Sequence, residues 1–176
     1  MDLIIDPGLK GAAVLFDDVR PVSSFCFSVG FSGIDIYKFN DFIEGIYKSY
    51  PECRVYIEKI DPFPGQNIKT STRQFFVLGQ TYAIVERYFN TVYKVPPQSW
   101  TPYLKKFCLR NFQFIGKSKE VAQVVSRQCF PEFAHLHIPK RGFKVHDGVA
   151  DCLSISIWLN KLYWTDWTID DIGFIY

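Results

Sequence analysis

Leu3-Ile4-Ile5-Asp6-Pro7-Gly8, followed at once by Gly11-Ala12-Ala13-Val14-Leu15-Phe16, is the stretch on which the fold turns. Three apolar residues form a short strand and Pro7-Gly8 breaks it. The second apolar run reads as a strand returning from that turn and ending at Asp17-Asp18. Val22 to Phe27 adds a third strand and completes an antiparallel meander. Asp6 therefore ends a strand, immediately before the break.

Working outward, Tyr37 to Tyr50 carries Phe39, Phe42, Ile43, Ile46 and Tyr47 at the period of an amphipathic helix. After Pro51, Arg54-Val55-Tyr56-Ile57-Glu58 is a strand with a charged end. Thr70 to Phe89 reads as a long helix starting near Ser71 or Thr72, and Val92 to Val95 as a short strand stopped by Pro96-Pro97. Trp100 to Phe107 is expected to be a short helix. Ser118 caps another that runs through Cys129 and is ended by Pro131. His146 to Leu162 is the last expected helix, and the aromatic, acidic tail after Trp164 receives no assignment. No linker, repeat or low-complexity run interrupts this order. Residues 1–176 read as a single α/β domain, an antiparallel element joined to strand–helix–strand crossovers.

The chain of 176 residues is 48% hydrophobic and 18% aromatic, enough for a sizeable core. It holds no apolar run of about 20 residues, and acids stand near its start where a signal peptide would be basic. The expectation is a soluble, intracellular protein with no membrane partner. Five cysteines without a CxxC pair read as reduced core thiols. The net charge of +2 hides an asymmetry. Residues 94–144 hold ten basic and two acidic side chains, against nine and eleven before them and one and five after. A basic segment between acidic ones suits an enzyme that grips a polyanion and holds cations, although a solvated basic face reads the same way.

His146-Asp147-Gly148-Val149-Ala150-Asp151 opens an apolar helix and sets Asp147 and Asp151 one turn apart on one face. A first-turn acid favoured by the helix dipole explains Asp147 but not Asp151. Asp6 and Glu58 each end a strand, where ligands collect in α/β sheets. Each has an ordinary alternative, Asp6 as a turn cap and Glu58 as a solvated strand end or partner of Lys59. Together, two strand-end acids and two helix acids could hold a pair of divalent ions, and hard oxygen ligands select Mg²⁺ or Mn²⁺. The reaction natural to two such ions, about 3.5–4 Å apart, is phosphodiester hydrolysis.

Leu3-Ile4-Ile5-Asp6-Pro7-Gly8 with Gly11-Ala12, then Tyr56-Ile57-Glu58, then His146 to Asp151, resembles in order and spacing the RuvC-type Holliday junction resolvases of the ribonuclease H-like superfamily. Leu78-Gly79-Gln80, Val95-Pro96-Pro97-Gln98-Ser99-Trp100 and Lys117-Ser118-Lys119 resemble the same family, especially its phage and organelle-related branches. The resemblance implies a mixed five-stranded sheet, three strands antiparallel and the rest added by parallel crossovers, flanked by helices. It implies a homodimeric endodeoxyribonuclease with two Mg²⁺ ions per active site, Mn²⁺ substituting, that nicks two symmetric strands of a four-way DNA junction. A phage-encoded member would work in the bacterial cytoplasm, others in an organelle or nucleoid. Asp6, Glu58 and Asp151 match the family's metal-binding acids. In the best-known bacterial members the penultimate acid lies three residues before the last, which here is Gly148. Asp147, four before, is the expected fourth ligand, with His146 beside it to orient water or phosphate.

Lys117 and Lys119 begin a helix whose free N–H groups favour phosphate, and Lys105, Lys106, Arg110, Lys140, Arg141 and Lys144 add charge around it. Phe63, between two prolines in the loop after Glu58, is the candidate wedge to stack on an unpaired base at a junction centre, with Lys69 and Arg73 close by. The long helix has apolar residues on more than one face, one for the sheet and one for a two-fold partner. Two rival readings are a branched-DNA or flap endonuclease of broader specificity and a non-catalytic junction-binding protein. A third, an actin-like phosphotransferase, lacks a second nucleotide-binding half at this length.

Overall fold

A computed structural model describes residues 1–27, 33–60, 65, 67–139 and 144–160. β1 (Asp2–Asp6), β2 (Ala12–Asp17) and β3 (Arg20–Cys26) form the meander, followed by α1 (Ile36–Ser49), β4 (Arg54–Glu58), α2 (Ile68–Val85) and β5 (Val92–Val95). Then come α3 (Pro97–Phe112), α4 (Ser118–Cys129), α5 (Pro131–Leu136) and α6 (Asp147–Leu159). The five strands form one sheet in the order β3-β2-β1-β4-β5. β1 pairs antiparallel with β2 and parallel with β4, so it is central.

Alternation along the strands splits the core in two. Leu3, Ile5, Ala13, Leu15, Val55 and Ile57 face one side and pack with Phe39 and Ile43 of α1 and Val77 and Val85 of α2. Ile4, Ala12, Val14 and Phe16 face the other side and meet Trp100, Leu104 and Phe107 of α3, Val121 and Val125 of α4, and α6. α6 buries every residue from Cys152 to Ile157, as expected of a helix that is apolar all round. The Cys152 thiol lies 3.4 Å from the carbonyls of both Ile4 and Ala12, which seats the helix over the central hairpin.

The element boundaries differ from the expected ones where caps decide them. α2 starts at Ile68 because the Asn67 side chain accepts from the Lys69 N–H at 2.9 Å. Pro97 and Pro131 each open a helix, since proline's missing N–H costs nothing in a first turn. That lengthens α3 and creates α5 where a plain helix end was expected. Gln113 closes α3 in the left-handed conformation, φ 52°. His146 is the N-cap of α6 and not its first residue, and the tail lies outside the described residues. All five cysteines are free thiols. Among the described residues, no helix is long and apolar enough to cross a membrane.

Candidate active site

The β1–β4 register pairs Ile5 with Ile57, so one step on brings Asp6 beside Glu58 at the same end of the two central strands. Both acids share strand parity with Ile4 and Tyr56 and face the α3–α4–α6 layer. α6 starts over that edge and contributes Asp151 one turn into the helix. Asp6 is 8% exposed, and Glu58 and Asp151 are partly exposed. The three acids therefore form a shallow cluster at the end of the sheet.

They stand close enough to disturb one another. Burial pushes the Asp6 carboxyl up to about 6; the Gly8 N–H and Lys119 pull it back and Asp147 pushes it further. Burial raises Glu58 to about 9, with Asp6 and Asp151 adding repulsion. Asp151 is raised well above the ordinary carboxyl range by burial and then by Asp6, while Lys119 opposes the shift. Among the described residues none of the three is in an ion pair. The Gly8 N–H donates to Asp6 Oδ1 at 2.8 Å and orients that carboxyl. Among the same residues no three Asp, Glu, His or Cys side chains are placed to hold one metal ion.

The glycines around the cluster allow the close approach. A Cβ on Gly148 would stand 2.5 Å from Gly11 C and 2.6 Å from Ala12 N and Lys10 O, all of them backbone atoms. The Gly148 N–H also donates to the Lys10 carbonyl at 3.1 Å. A side chain at position 148 would require the backbone of residues 10–12 to shift as this chain is packed. Asp147 is instead turned to the rim, where its carboxylate lies 3.6 Å from Lys119 Nζ with the lysine mostly in solvent.

Lys119 is the residue whose place the sequence did not reveal. Grouped there with phosphate-gripping lysines, it reaches Asp147 and influences both Asp6 and Asp151. The only sequence signal for this is its position in the first turn of a helix that packs on α6. His146 sits differently from the acids. Its Nδ1 is buried without a hydrogen bond, and its pKa is lowered by burial, with Asp147 opposing and Lys10 adding to the shift. Trp100 is 4% exposed, and its indole Nε1 is buried without a hydrogen-bond partner.

Lys69, Arg73, Lys105, Lys106, Lys117 and Lys144 are all exposed. At the start of α4 the Lys117 N–H is taken by Glu120 Oε2 at 2.8 Å, so one donor expected to face phosphate is satisfied within the chain. Lys105 and Lys106 flank a small cleft of about 200 Å³ lined by Leu109, Phe114, Ile115 and Val121. Phe63, Lys140 and Arg141 lie outside the described residues. A larger cavity of about 780 Å³ reaches Ser156 and Asn160 at the far end of α6 and takes no part in the carboxylate cluster.

Among solved structures, the chain is similar to Thermus thermophilus RuvC in complex with Holliday junction substrate, with a TM-score of 0.57 and 14% identity over 93% of each chain. It is also similar to a second Thermus thermophilus RuvC structure, with a TM-score of 0.53 and 16% identity, covering 93% of this chain and 96% of that one. No family model and no curated protein matches the sequence. The fold is thus ribonuclease H-like, a mixed five-stranded sheet flanked by helices. Within that class it is RuvC-like.

Proposed function

We propose that this chain is a metal-dependent endodeoxyribonuclease that resolves four-way DNA junctions by paired nicks, working as a homodimer. The observation that carries the reading is that Asp6, Glu58 and Asp151 are brought to one end of the sheet, from β1, β4 and α6, with no ion-pair partner among the described residues. A fold does not maintain such a cluster for stability, because burying unpaired acids is costly.

An all-oxygen donor set fits Mg²⁺ or Mn²⁺ in kind. Mg²⁺ is commonly held by one or two carboxylates together with substrate phosphates, so the site does not require three side chains on one ion. Asp6, Glu58 and Asp151 would hold the ions with Asp147 at the rim, and two ions there supply charge stabilisation for phosphodiester hydrolysis. The Gly8 N–H fixes the orientation of Asp6, and Lys119 offers a cation at the same edge for a phosphate oxygen. Lys69, Arg73, Lys105, Lys106, Lys117, Lys140, Arg141 and Lys144 would position the DNA backbone, with Phe63 as the wedge at the junction centre.

The substrate reading draws support from the fold shared with the junction-bound neighbour and from motifs that resemble the phage and organelle branches of that family. The dimer draws support from α2. Its buried Val77, Thr81 and Val85 face the sheet, while Ile68, Phe75, Phe76, Gly79 and Ala83 form an exposed apolar and small-residue face opposite.

The test is cleavage of a four-way junction, a flap and a duplex of equal length in Mg²⁺. We expect paired nicks in the junction alone. Asp6→Asn and Asp151→Asn should cut at least roughly 100-fold more slowly while binding the junction as well or better. Equal rates on all three substrates would sink junction selectivity, and normal cutting by both variants would sink the site.

A further inference from the structure

We propose that Gln123 of α4 is a positioning residue for Asp147, clasping the backbone just ahead of α6 so that the rim carboxylate is held in a fixed place beside the other acids. The proposal rests on the nuclease reading above and deepens it.

Three observations carry it. The first is the clasp itself. The Gln123 side-chain carbonyl accepts the Val145 N–H at 2.7 Å, and its amide nitrogen donates to the Val145 carbonyl at 2.8 Å. One side chain thereby satisfies both backbone groups of a residue that is 1% exposed, as a neighbouring strand would. This match needs an acceptor and a donor on one side chain, and a glutamate carboxylate has no donor to give. The second is what flanks Asp147. The His146 N–H donates to the His137 carbonyl at 3.0 Å, and the Gly148 N–H to the Lys10 carbonyl at 3.1 Å. The backbone is thus pinned on both sides of Asp147, to α4 and the end of α5 before it and to the β1–β2 turn after it. The third is placement on α4. Lys119 and Gln123 stand one turn apart on the same helix face, and Lys119 Nζ lies 3.6 Å from the Asp147 carboxylate. One face of one helix therefore fixes the backbone that carries the acid and supplies the cation next to it.

The test uses the full chain with Mn²⁺ and no DNA, then cleavage of a junction. Gln123→Leu should keep the fold, bind Mn²⁺ about 10-fold more weakly than the wild type, and lower kcat more than it raises KM. Gln123→Glu, which keeps the acceptor for the Val145 N–H, should fall between the two. In an Asp147→Asn background, Gln123→Leu should change Mn²⁺ affinity by less than about twofold, because the side chain through which it acts is already gone. A clasp that serves stability alone would weaken binding equally in both backgrounds, and that result overturns the proposal. Wild-type Mn²⁺ affinity in Gln123→Leu or in Asp147→Asn also overturns it. Each of these outcomes leaves the nuclease reading standing. Should the wild type itself bind no divalent ion, the nuclease reading falls and this one with it. Gln123→Glu carries the same comparison if Gln123→Leu does not fold.

Discussion

Asp2 and Asp6 occupy the same face of the same strand, yet they live differently. Asp2 is held by Arg54, with Nε at 2.6 Å from one carboxyl oxygen and Nη2 at 2.9 Å from the other. Asp6 has the Gly8 N–H and a distant lysine. The first acid is held in an ion pair, and the second is buried with one backbone hydrogen bond. A carboxyl with a higher pKa folded than unfolded binds its proton more tightly in the native state. Its destabilising effect is therefore absent below the unfolded value and grows as pH climbs to the folded one. For Asp6 that window runs from 3.8 to about 6, and for Glu58 from 4.5 to about 9. In chelator-containing buffer, Asp6→Asn should be more stable than the wild type at pH 8 by roughly 1–3 kcal/mol, with a flatter pH dependence across the Asp6 window. Thermal melts at pH 4.5, 6 and 8 check this, and a variant that tracks the wild type at every pH refutes it. Gly148 makes the complementary case. Gly148→Ala must push α6 off the backbone of residues 10–12, at a cost of about 1–3 kcal/mol, and calorimetric unfolding should show it. The missing acid at 148 looked like a departure from the family pattern; at residue scale it goes with the close packing of α6 on residues 10–12.

At the scale of elements, the strands were readable because each is a short apolar run bounded by Pro, Gly or charge. β4 and β5 have the expected limits to the residue, Arg54–Glu58 and Val92–Val95. Helix starts were harder to read. Pro131 serves equally as a stop for α4 and a start for α5, and only the following backbone decides between them. The long helix begins early because Asn67 outcompetes Ser71 as a cap, and Asn67→Ala should cost about 1 kcal/mol in urea unfolding. The Arg54–Asp2 pair stitches β4 to β1 at the end opposite Asp6 and Glu58. Arg54→Ala leaves Asp2 buried without its cation. Since the arginine is more than half exposed, the expected loss is a modest 1–3 kcal/mol or so, read by the same unfolding experiment and with no change in divalent-ion binding.

Across the whole molecule, the two cores divide the sheet: α1 and α2 cover one face, and α3, α4 and α6 close the other, towards which Asp6 and Glu58 point. The exposed Phe76 face of α2 lies on the side of the sheet away from the acids. On the proposed dimer, Phe76→Glu should leave the fold intact and give a monomer in sedimentation where the wild type is dimeric, and a variant that is as dimeric as the wild type would remove α2 from the interface. The basic surface makes a separate prediction. Lys105→Ala and Lys117→Ala should each lower the slope of log affinity against log salt by about one, with little effect on the rate of cutting by bound enzyme. The sequence by itself determined the succession of strands and helices and the α/β class, and it nominated the acids, since these depend on local runs and on spacing along the chain. Only the tertiary structure decided that Asp6, Glu58 and Asp151 come to one end of the sheet with no ion-pair partner among the described residues, that Lys119 belongs at their edge, and that a side chain at position 148 would press on the backbone of residues 10–12. Each of these depends on surfaces far apart in sequence meeting at van der Waals distance. Burial, repulsion and steric exclusion come into being only when α6 settles on the β1–β2 hairpin.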